Sequence, residues 1–539
     1  MGTAEKVARN TLFNLANVAV SAPLSFVISI ILARGLGPEV YGTYAFYIWV
    51  ISLCGYLVNL GLGSTATKYI SEYSGKGQGE QAKGIIWMVF KGRVRAGLAV
   101  ATAALLLAVP LTHLIGKGHS PIYWVMVAMA VLPYTLFYLF QSISLGLQKF
   151  QYVAVQTLVC VPLRLGLAFL VVYLGFAAKG QLGADMFVWV LGVGVGIYLL
   201  NRFIPLRSLI RASLTPEAAA RTRSYAMAMT GILLAEYLLW ERSEVLLLGF
   251  LRPDQEVGFY TLGVKLPRLL MSVVPAVLGG VLLPTLSEQF GKKDMAKLKA
   301  VFITSARYLM ILALPLVAGG IALAVPLVNL VYGAAYAPAI SIMMITFLPA
   351  AFLVFVTLCR QVLYAIDKPA YALRVALLLA PLHIGLNLIF ISRYGILGAA
   401  IATSSLQFLI LPIYVWLVYR ETRALWPVAD GARTVLAASL MGLALFSAYG
   451  LWGTVPALVL ALPLGGAVYF LGLVAFGALR QEDLDILAKV RGVLPSSLWY
   501  PYQGLLRALG GLMGPAASFR GWIVAGARRG NALDGKSRD

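Results

Sequence analysis

Acidic residues are scarce in this chain: Asp and Glu number 21 against 43 Lys and Arg in 539 residues. Charged residues of both signs make up only 12%, against about a quarter in an ordinary globular domain. A soluble chain of this length would fold into several domains with polar surfaces, and too little charge is present to cover them. Cysteine is equally sparse. Cys54, Cys160 and Cys359 all lie inside apolar runs, so they read as small hydrophobes without a disulfide framework or metal-ligand spacing. No phosphate-binding loop occurs, which argues against ATP hydrolysis by this chain. The run Gly75-Lys76-Gly77-Gln78-Gly79 neither follows a strand nor opens a Rossmann unit, and Gly192, Gly194 and Gly196 suit close helix packing inside an apolar run. No metal-binding or nucleophile motif is present, so no cofactor, metal or catalytic residue is expected.

What fills the chain instead is apolar: 60% of its residues are hydrophobic. Apolar runs of ~20 residues recur almost from end to end, each long enough to cross ~30 Å of hydrocarbon. The pattern predicts an all-α polytopic membrane protein with about 14 transmembrane helices. Their limits are 10–33, 43–63, 94–115, 121–145, 152–176, 186–204, 223–250, 258–284, 305–331, 339–364, 371–392, 396–418, 432–451 and 455–477. The first run is too long for a signal-peptide core and reads as an uncleaved span.

The formal net charge of +22 would suit nucleic acid, but the basic residues are not gathered into one patch, so no nucleic acid is expected. With the N-terminus inside, the inner loops hold Lys68, Lys76, Lys83, Arg202, Arg207, Arg211, Lys292, Lys293, Lys297, Lys299, Arg420 and Arg423. The outer loops hold chiefly Lys117, Lys179, Arg252 and Arg393. This asymmetry places both termini in the cytoplasm. The basic tail, 479–539, carries Trp499 and Tyr500 among Lys and Arg and reads as amphipathic and bound to the membrane surface.

The sequence repeats itself. Gly42 and Tyr44 match Gly258 and Tyr260; Ser71, Glu72, Gly75 and Lys76 match Ser287, Glu288, Gly291 and Lys292. Leu107-Ala108-Val109-Pro110-Leu111 matches Leu323-Ala324-Val325-Pro326-Leu327 in the same register. A slightly larger offset pairs Lys149, Tyr152, Pro162 and Gly166 with Lys368, Tyr371, Pro381 and Gly385. The unit contains an even number of spans, so both copies run the same way through the membrane. Two six-helix lobes follow, 1–210 and 211–425, related by a parallel pseudo-two-fold repeat. Two extra C-terminal helices at 426–478 lie outside it.

Candidate functional residues are the polar ones at membrane depth, where charge is costly unless paired or hydrated. Span 1 carries Asn14, Asn17, Ser21 and Ser25 on one stripe, which faces either a cavity or a neighbouring helix. Span 7 carries Glu236, Glu241 and Glu244 with Arg242 off their face; span 8 carries Lys265 and Arg268. The carboxylates either pair with these cations or serve ion coupling. Arg164 and its repeat partner His383 are expected to face each other across the pseudo-two-fold centre. The net expectation is a cationic cavity between two bundles, formed by Arg164, Lys265, Arg268, Arg242 and His383. Fixed positive charge in a low-dielectric site favours phosphate or pyrophosphate over cationic drugs.

Three segments carry a resemblance: Ala8-Arg9-Asn10-Thr11, the loop Ala33-Arg34-Gly35-Leu36-Gly37-Pro38-Glu39-Val40-Tyr41-Gly42-Thr43-Tyr44, and Val257-Gly258-Phe259-Tyr260. Over about residues 1–420 the chain resembles polysaccharide-repeat-unit flippases of the multidrug/oligosaccharidyl-lipid/polysaccharide (MOP) exporter superfamily. The resemblance implies two lobes around a central cavity. It also implies alternating access that carries a polyprenyl-diphosphate-linked glycan to the outer leaflet of the inner membrane for cell-surface polysaccharide assembly. The partners implied are that glycan, membrane lipid and other polysaccharide-assembly proteins. In related lipid II flippases the last two spans hold the lipid tail, and spans 13 and 14 would serve likewise. A multidrug or cation antiporter of the same superfamily would prefer an uncompensated buried carboxylate, which span 1 lacks. A membrane polysaccharide polymerase or ligase would need a larger outer loop.

Overall fold

The computed structural model describes residues 3–479 except 60, 116, 118, 241 and 242, together with residue 483. Of side chains, 3–16, 18–19, 115, 228, 232–236, 238–240, 243, 275–281, 457 and 462 also lie outside that description. Glu241, Arg242, the side chains of Asn14 and Glu236, and the basic tail apart from residues 479 and 483 therefore fall outside it.

Among the described residues the chain is helical throughout, with no strand. The first half comprises α1 (Thr3–Asn59), α2 (Leu62–Gly75), α3 (Gly79–Leu106), α4 (Ala108–Ile115), α5 (Ile122–Gly146), α6 (Phe150–Tyr173), α7 (Ala178–Phe203) and the short α8 (Leu206–Arg211). The second comprises α9 (Pro216–Trp240), α10 (Ser243–Leu251), α11 (Asp254–Gly291), α12 (Met295–Ala322), α13 (Ala324–Val331), α14 (Ala339–Ala365) and α15 (Ala370–Thr422). Two more, α16 (Val428–Trp452) and α17 (Thr454–Ala475), follow.

Nine helices among the described residues are long and apolar enough to cross a membrane, or up to 11 with two bent pairs counted as spans. Two of the nine contain a broken turn, at Gly37 in α1 and at Gly395 in α15. These breaks lie between the expected spans 1 and 2 and spans 11 and 12, so the helix count is consistent with 14 spans. Leu106, Tyr173 and Leu378 are more than 70% exposed. An apolar surface of that kind requires hydrocarbon rather than water, and the chain is a multi-pass membrane protein.

Helix limits differ from expectation in an instructive way. The third span was expected to begin at 94, but α3 begins at Gly79 and carries Lys83 and Arg93 with it. The sixth was expected to begin at 186, but α7 begins at Ala178 and includes Asp185. In both cases a charged residue lowers local hydropathy and shortens the apparent span, while the backbone continues because its hydrogen bonds must be made internally.

The repeat is visible in the backbone. α3 and α4 break at Leu107, α12 and α13 at Leu323. Gly77 and Lys293, each after the matched helix end, are left-handed, at φ 73° and 57°. Gln148 and Asp367 form the next such pair, at φ 56° and 60°. Hydrogen bonds follow suit: Gly77 N–H donates to Ser74 O as Lys293 N–H donates to Phe290 O, both at about 3 Å. A pattern of non-helical turns shared between two halves is the structural counterpart of the sequence repeat, and the fold is two parallel six-helix repeats plus two C-terminal helices.

By contacts the chain forms two compact units. One holds Met1–Leu309 with Leu323–Trp426; the other holds Met310–Ala322 and the chain after Pro427. In the second, Tyr469 donates its hydroxyl to Ile311 O at 2.7 Å. Gly472 there lets α17 lie against Ala437 of α16.

In the first unit the halves meet where α1 crosses α11. A Cβ on Gly42 would collide with the Asp254 carbonyl and the Gly258 nitrogen; one on Gly258 would collide with the Pro38 carbonyl and crowd the Gly42 nitrogen. The matched glycines thus permit backbone contact between the repeats. Tyr336 adds a hydrogen bond to Ala33 O at 2.9 Å. Far from this crossing, Arg221 of α9 reaches Glu72 of α2 at 2.9 Å, and Lys76 reaches the same carboxylate at 2.7 Å. The hydrogen bonds from Lys76 and then Arg221 hold the Glu72 carboxyl below its ordinary value of 4.5.

Gly42→Val is expected to lower the thermal midpoint by the equivalent of about 1–3 kcal/mol, while Gly166→Val, at a position where a Cβ meets nothing within 4 Å, leaves it nearly unchanged. Detergent-solubilised protein followed by size-exclusion after heating reads the difference. The Glu72 tie has a pH sign as well. Because its folded pKa is depressed, its contribution is complete above 4.5 and is lost as the pH falls further through the lowered value. A spin-label distance between α2 and α9 that widens on acidification in the wild type, and is already wide and pH-independent in Glu72→Gln, is the expected result.

Candidate functional site

Three of the expected cations meet in one cavity. Arg164 of α6 and Lys265 and Arg268 of α11 line a space of about 410 Å³ whose wall also includes Tyr44, Trp49, Tyr56, Tyr134 and Tyr237. The aromatic wall is continuous: Tyr56 lies 4.2 Å from Tyr237 between ring centroids, and Tyr237 lies 6.3 Å from Trp49.

All three cations are partnered, and Arg164 and Arg268 each meet a buried carboxylate. Arg164 Nε donates to Asp185 Oδ1 at 2.6 Å and Nη2 to Oδ2 at 3.1 Å, a two-pronged contact with a fully buried carboxylate. Tyr44 donates to Asp185 Oδ2 at 2.7 Å and accepts from Arg164 Nη2 at 3.0 Å. Gln181 completes the shell from one helical turn away, at 3.2 Å. On the other side Arg268 lies 3.6 Å from Glu244, which accepts the Tyr260 hydroxyl at 2.8 Å. The second oxygen of Glu244 is buried without a hydrogen bond. Tyr44 and Tyr260 are repeat partners, so each half contributes a phenol, a buried carboxylate and a guanidinium. Among the described residues, Arg164 and Arg268 are thus each balanced by a buried carboxylate.

The other candidates lie elsewhere. His383 is buried beside a smaller space of about 40 Å³, next to Glu244, Tyr260 and Arg268. Arg164 and His383 therefore do not line a common cavity, and Arg268 is the residue that borders both spaces. Pro162 and Pro381 stand at matched positions inside α6 and α15, and that match does not bring the two side chains into one space. Asn17, Ser21 and Ser25 are partly buried and absent from the 410 Å³ wall. Ser29 of the same stripe turns its hydroxyl to Phe26 O at 2.6 Å. Asp185 had no place in the sequence reading because it falls one residue before the expected span. The tyrosines that carry the wall look like ordinary interfacial aromatics in sequence, save Tyr44, which the repeat had singled out together with Tyr260.

Beyond the cavity, toward the α1–α11 crossing, a polar knot ties the two repeats. Asp254 accepts from Thr43 Oγ1, from Lys117 Nζ at 2.8 Å and from His119 Nε2 at 2.7 Å. Together with Glu72–Arg221, cross-repeat ties thus stand at both ends of the helices.

An all-helical, two-repeat bundle around a buried charged cavity defines a membrane transporter architecture. The family described as "Polysaccharide biosynthesis protein" matches residues 7–290, more than half of the chain, and the chain belongs to that family. It is 24% identical over 335 residues to "Succinoglycan biosynthesis transport protein ExoT" of Rhizobium meliloti (strain 1021), which covers 62% of this chain and 64% of that protein. The chain thus spans less than two thirds of the length of that curated relative. In fold it is similar to "Lipid II flippase MurJ, inward closed conformation", with a TM-score of 0.70 at 16% identity over 86% of this chain and 98% of that one. It is also similar to an inward-facing multidrug resistance MATE transporter of the MOP superfamily, with a TM-score of 0.63 at 15% identity over 76% and 98%. These likenesses give it the MOP-superfamily fold.

Asp185→Asn removes the charge that balances Arg164. Leaving that guanidinium half-satisfied is expected to cost about 1–3 kcal/mol. Adding Arg164→Gln should recover part of the loss, so a double-mutant cycle on the thermal midpoint gives a coupling well above zero. Additive losses would show the pair to be energetically idle.

Proposed function

We propose that the protein is a flippase that moves a polyprenyl-diphosphate-linked glycan from the cytoplasmic to the outer leaflet for cell-surface polysaccharide assembly, by alternating access. The observation that carries this reading is the single cavity holding Arg164, Lys265 and Arg268 against an aromatic wall. Membership in the polysaccharide biosynthesis family supports it. So do a relative named for succinoglycan transport and a fold shared with a lipid II flippase.

The chemistry follows from the charges. A diphosphate brings at least two negative charges into a cavity lined by Arg164, Lys265 and Arg268. Two unit charges 4 Å apart attract by about 4 kcal/mol at an effective dielectric of 20. Arg268, held at 3.6 Å from Glu244, has the looser of the two carboxylate contacts and is the cation that shifts to phosphate with the smaller loss. Lys265 supplies a third cation on the same face of α11, one turn away. The tyrosines and Trp49 give sugar rings apolar faces to lie on and hydroxyls to bond. Asp185 and Glu244 keep the guanidiniums oriented when no anion is bound, which lowers the cost of their burial. Glu244 is also the described residue of the three acidic candidates that would feel a coupling ion, because one of its oxygens has no hydrogen bond. In this reading the Asp254 knot and the Glu72–Arg221 tie are broken alternately as access passes from one leaflet to the other.

A multidrug cation antiporter is the second reading, supported by the MATE-like fold. It fits the cavity less well, since a cation would enter a space lined by three cationic side chains.

Purified protein in liposomes with a fluorescent short-chain polyprenyl-diphosphate glycan tests the proposal. Lys265→Ala is the cleanest variant, because it removes charge without stripping Asp185 or Glu244 of the partners seen here. Transfer of label between leaflets is expected to slow about tenfold or more in Lys265→Ala and in Arg268→Ala, with folding intact. Export of a cationic dye without transfer of any diphosphate lipid would replace this reading with the antiporter.

A further inference from the structure

A second charged space lies beyond the central cavity, inside the first repeat. It measures about 690 Å³ and shares Tyr56 and Tyr134 with the central wall. Its lining includes Arg93 and Lys68 but no Asp or Glu. Arg93 is 3% exposed, yet its guanidinium meets neutral acceptors alone: Nη1 donates to Thr135 O at 3.1 Å and Nη2 to Asn59 Oδ1. Its Nε has no hydrogen-bond partner, and among the described residues no carboxylate lies within ion-pairing distance.

That arrangement is costly unless the charge has a use. Burying an uncompensated guanidinium in a membrane protein costs several kcal/mol. A neutral amide could bridge Asn59 and Thr135 without that cost. Arg164 and Arg268 sit beside carboxylates; Arg93 does not. The space next to it is also kept clear. A Cβ on Gly63 would stand 3.2 Å from each of Arg93 Nη2, Asn59 Oδ1 and Ser142 Oγ, so the missing side chain leaves a notch on which three polar groups converge. A guanidinium donor in a notch free of acid matches the oxygens of a phosphoryl group, and Ser142, whose hydroxyl donates to Tyr138 O at 3.1 Å, borders it.

We infer that the Arg93 space is a second phosphoryl-binding site, distinct from the central cavity, which holds the phosphate of the transported lipid on the far side of Tyr56 and Tyr134. The inference rests on the flippase reading for the identity of that lipid; the anion chemistry of the site stands on Arg93 itself. Passage between the two sites exchanges a guanidinium without a carboxylate for two that have one, with the paired tyrosines between them.

The test is protection of a reporter. Ser142→Cys is placed in the notch in a Cys54→Ala background, and its alkylation by a water-soluble maleimide is timed in nanodiscs. Inorganic pyrophosphate at ten times its dissociation constant is expected to slow labelling about tenfold. Arg93→Lys retains part of that protection and Arg93→Gln abolishes it, while Lys265→Ala leaves it in place. Gly63→Ala, which keeps the charge and fills the notch, weakens it. Farnesyl diphosphate and phosphatidylglycerol in the disc form separate arms: protection by the first assigns the site to the prenyl carrier, and protection by the second alone assigns it to bilayer phospholipid. No protection by any of the three anions, or protection that survives Arg93→Gln, overturns the inference. Loss of label transfer in Lys265→Ala alongside absent protection would overturn this site while leaving the flippase reading intact.

Discussion

The contact on which the site depends is steric: α1 and α11 touch backbone to backbone at Gly42 and Gly258. Neither helix could approach so closely with a side chain at that point. Two residues further along each helix stand Tyr44 and Tyr260, so the crossing brings their hydroxyls down onto Asp185 and Glu244. Those carboxylates in turn orient Arg164 and Arg268 toward the cavity. A missing pair of methyl groups thus governs where charge sits some turns away, and the polar knot at Asp254 closes over the same crossing.

Electrostatics in this bundle follows one rule with one exception. Guanidiniums within the central cavity are balanced by buried acid, which lowers the cost of holding them in a low dielectric. Arg93 breaks the rule, as a buried cation satisfied by a carbonyl and an amide alone. The scarcity of acid in the sequence is the reason such exceptions stand out: with 21 acidic residues in the whole chain, the buried carboxylates of Asp185, Glu244 and Asp254 each have a specific cation beside them.

The family and the fold point to a transporter for polysaccharide biosynthesis, and the proposed cargo rests on the cations of the cavity. The same fold in a multidrug transporter shows that architecture alone does not choose the cargo. In the proposed reading the choice is made by local chemistry: among the described residues, basic and aromatic side chains line the wall, and Asp185 and Glu244 are engaged by phenol and guanidinium.

Hydropathy and the positive charges between apolar runs were enough to predict a multi-pass helical chain, because hydrocarbon admits few other backbones. One constant offset exposed the repeat, and with it the glycine–tyrosine pairs that the structure puts at the crossing. Sequence also singled out Arg164, Lys265 and Arg268, since cations inside apolar runs are conspicuous. It could not find Asp185 or Arg93, because a charge near the end of a run shortens the run and so removes itself from view. Nor could it place His383, because matched positions in two repeats need not line one cavity: which space a side chain borders depends on the neighbouring helices. Which cations are paired, which tyrosine reaches which carboxylate, and which space each borders were decided by helix packing alone, since those contacts join residues 16 to 211 positions apart and depend on distances of a few tenths of an ångström.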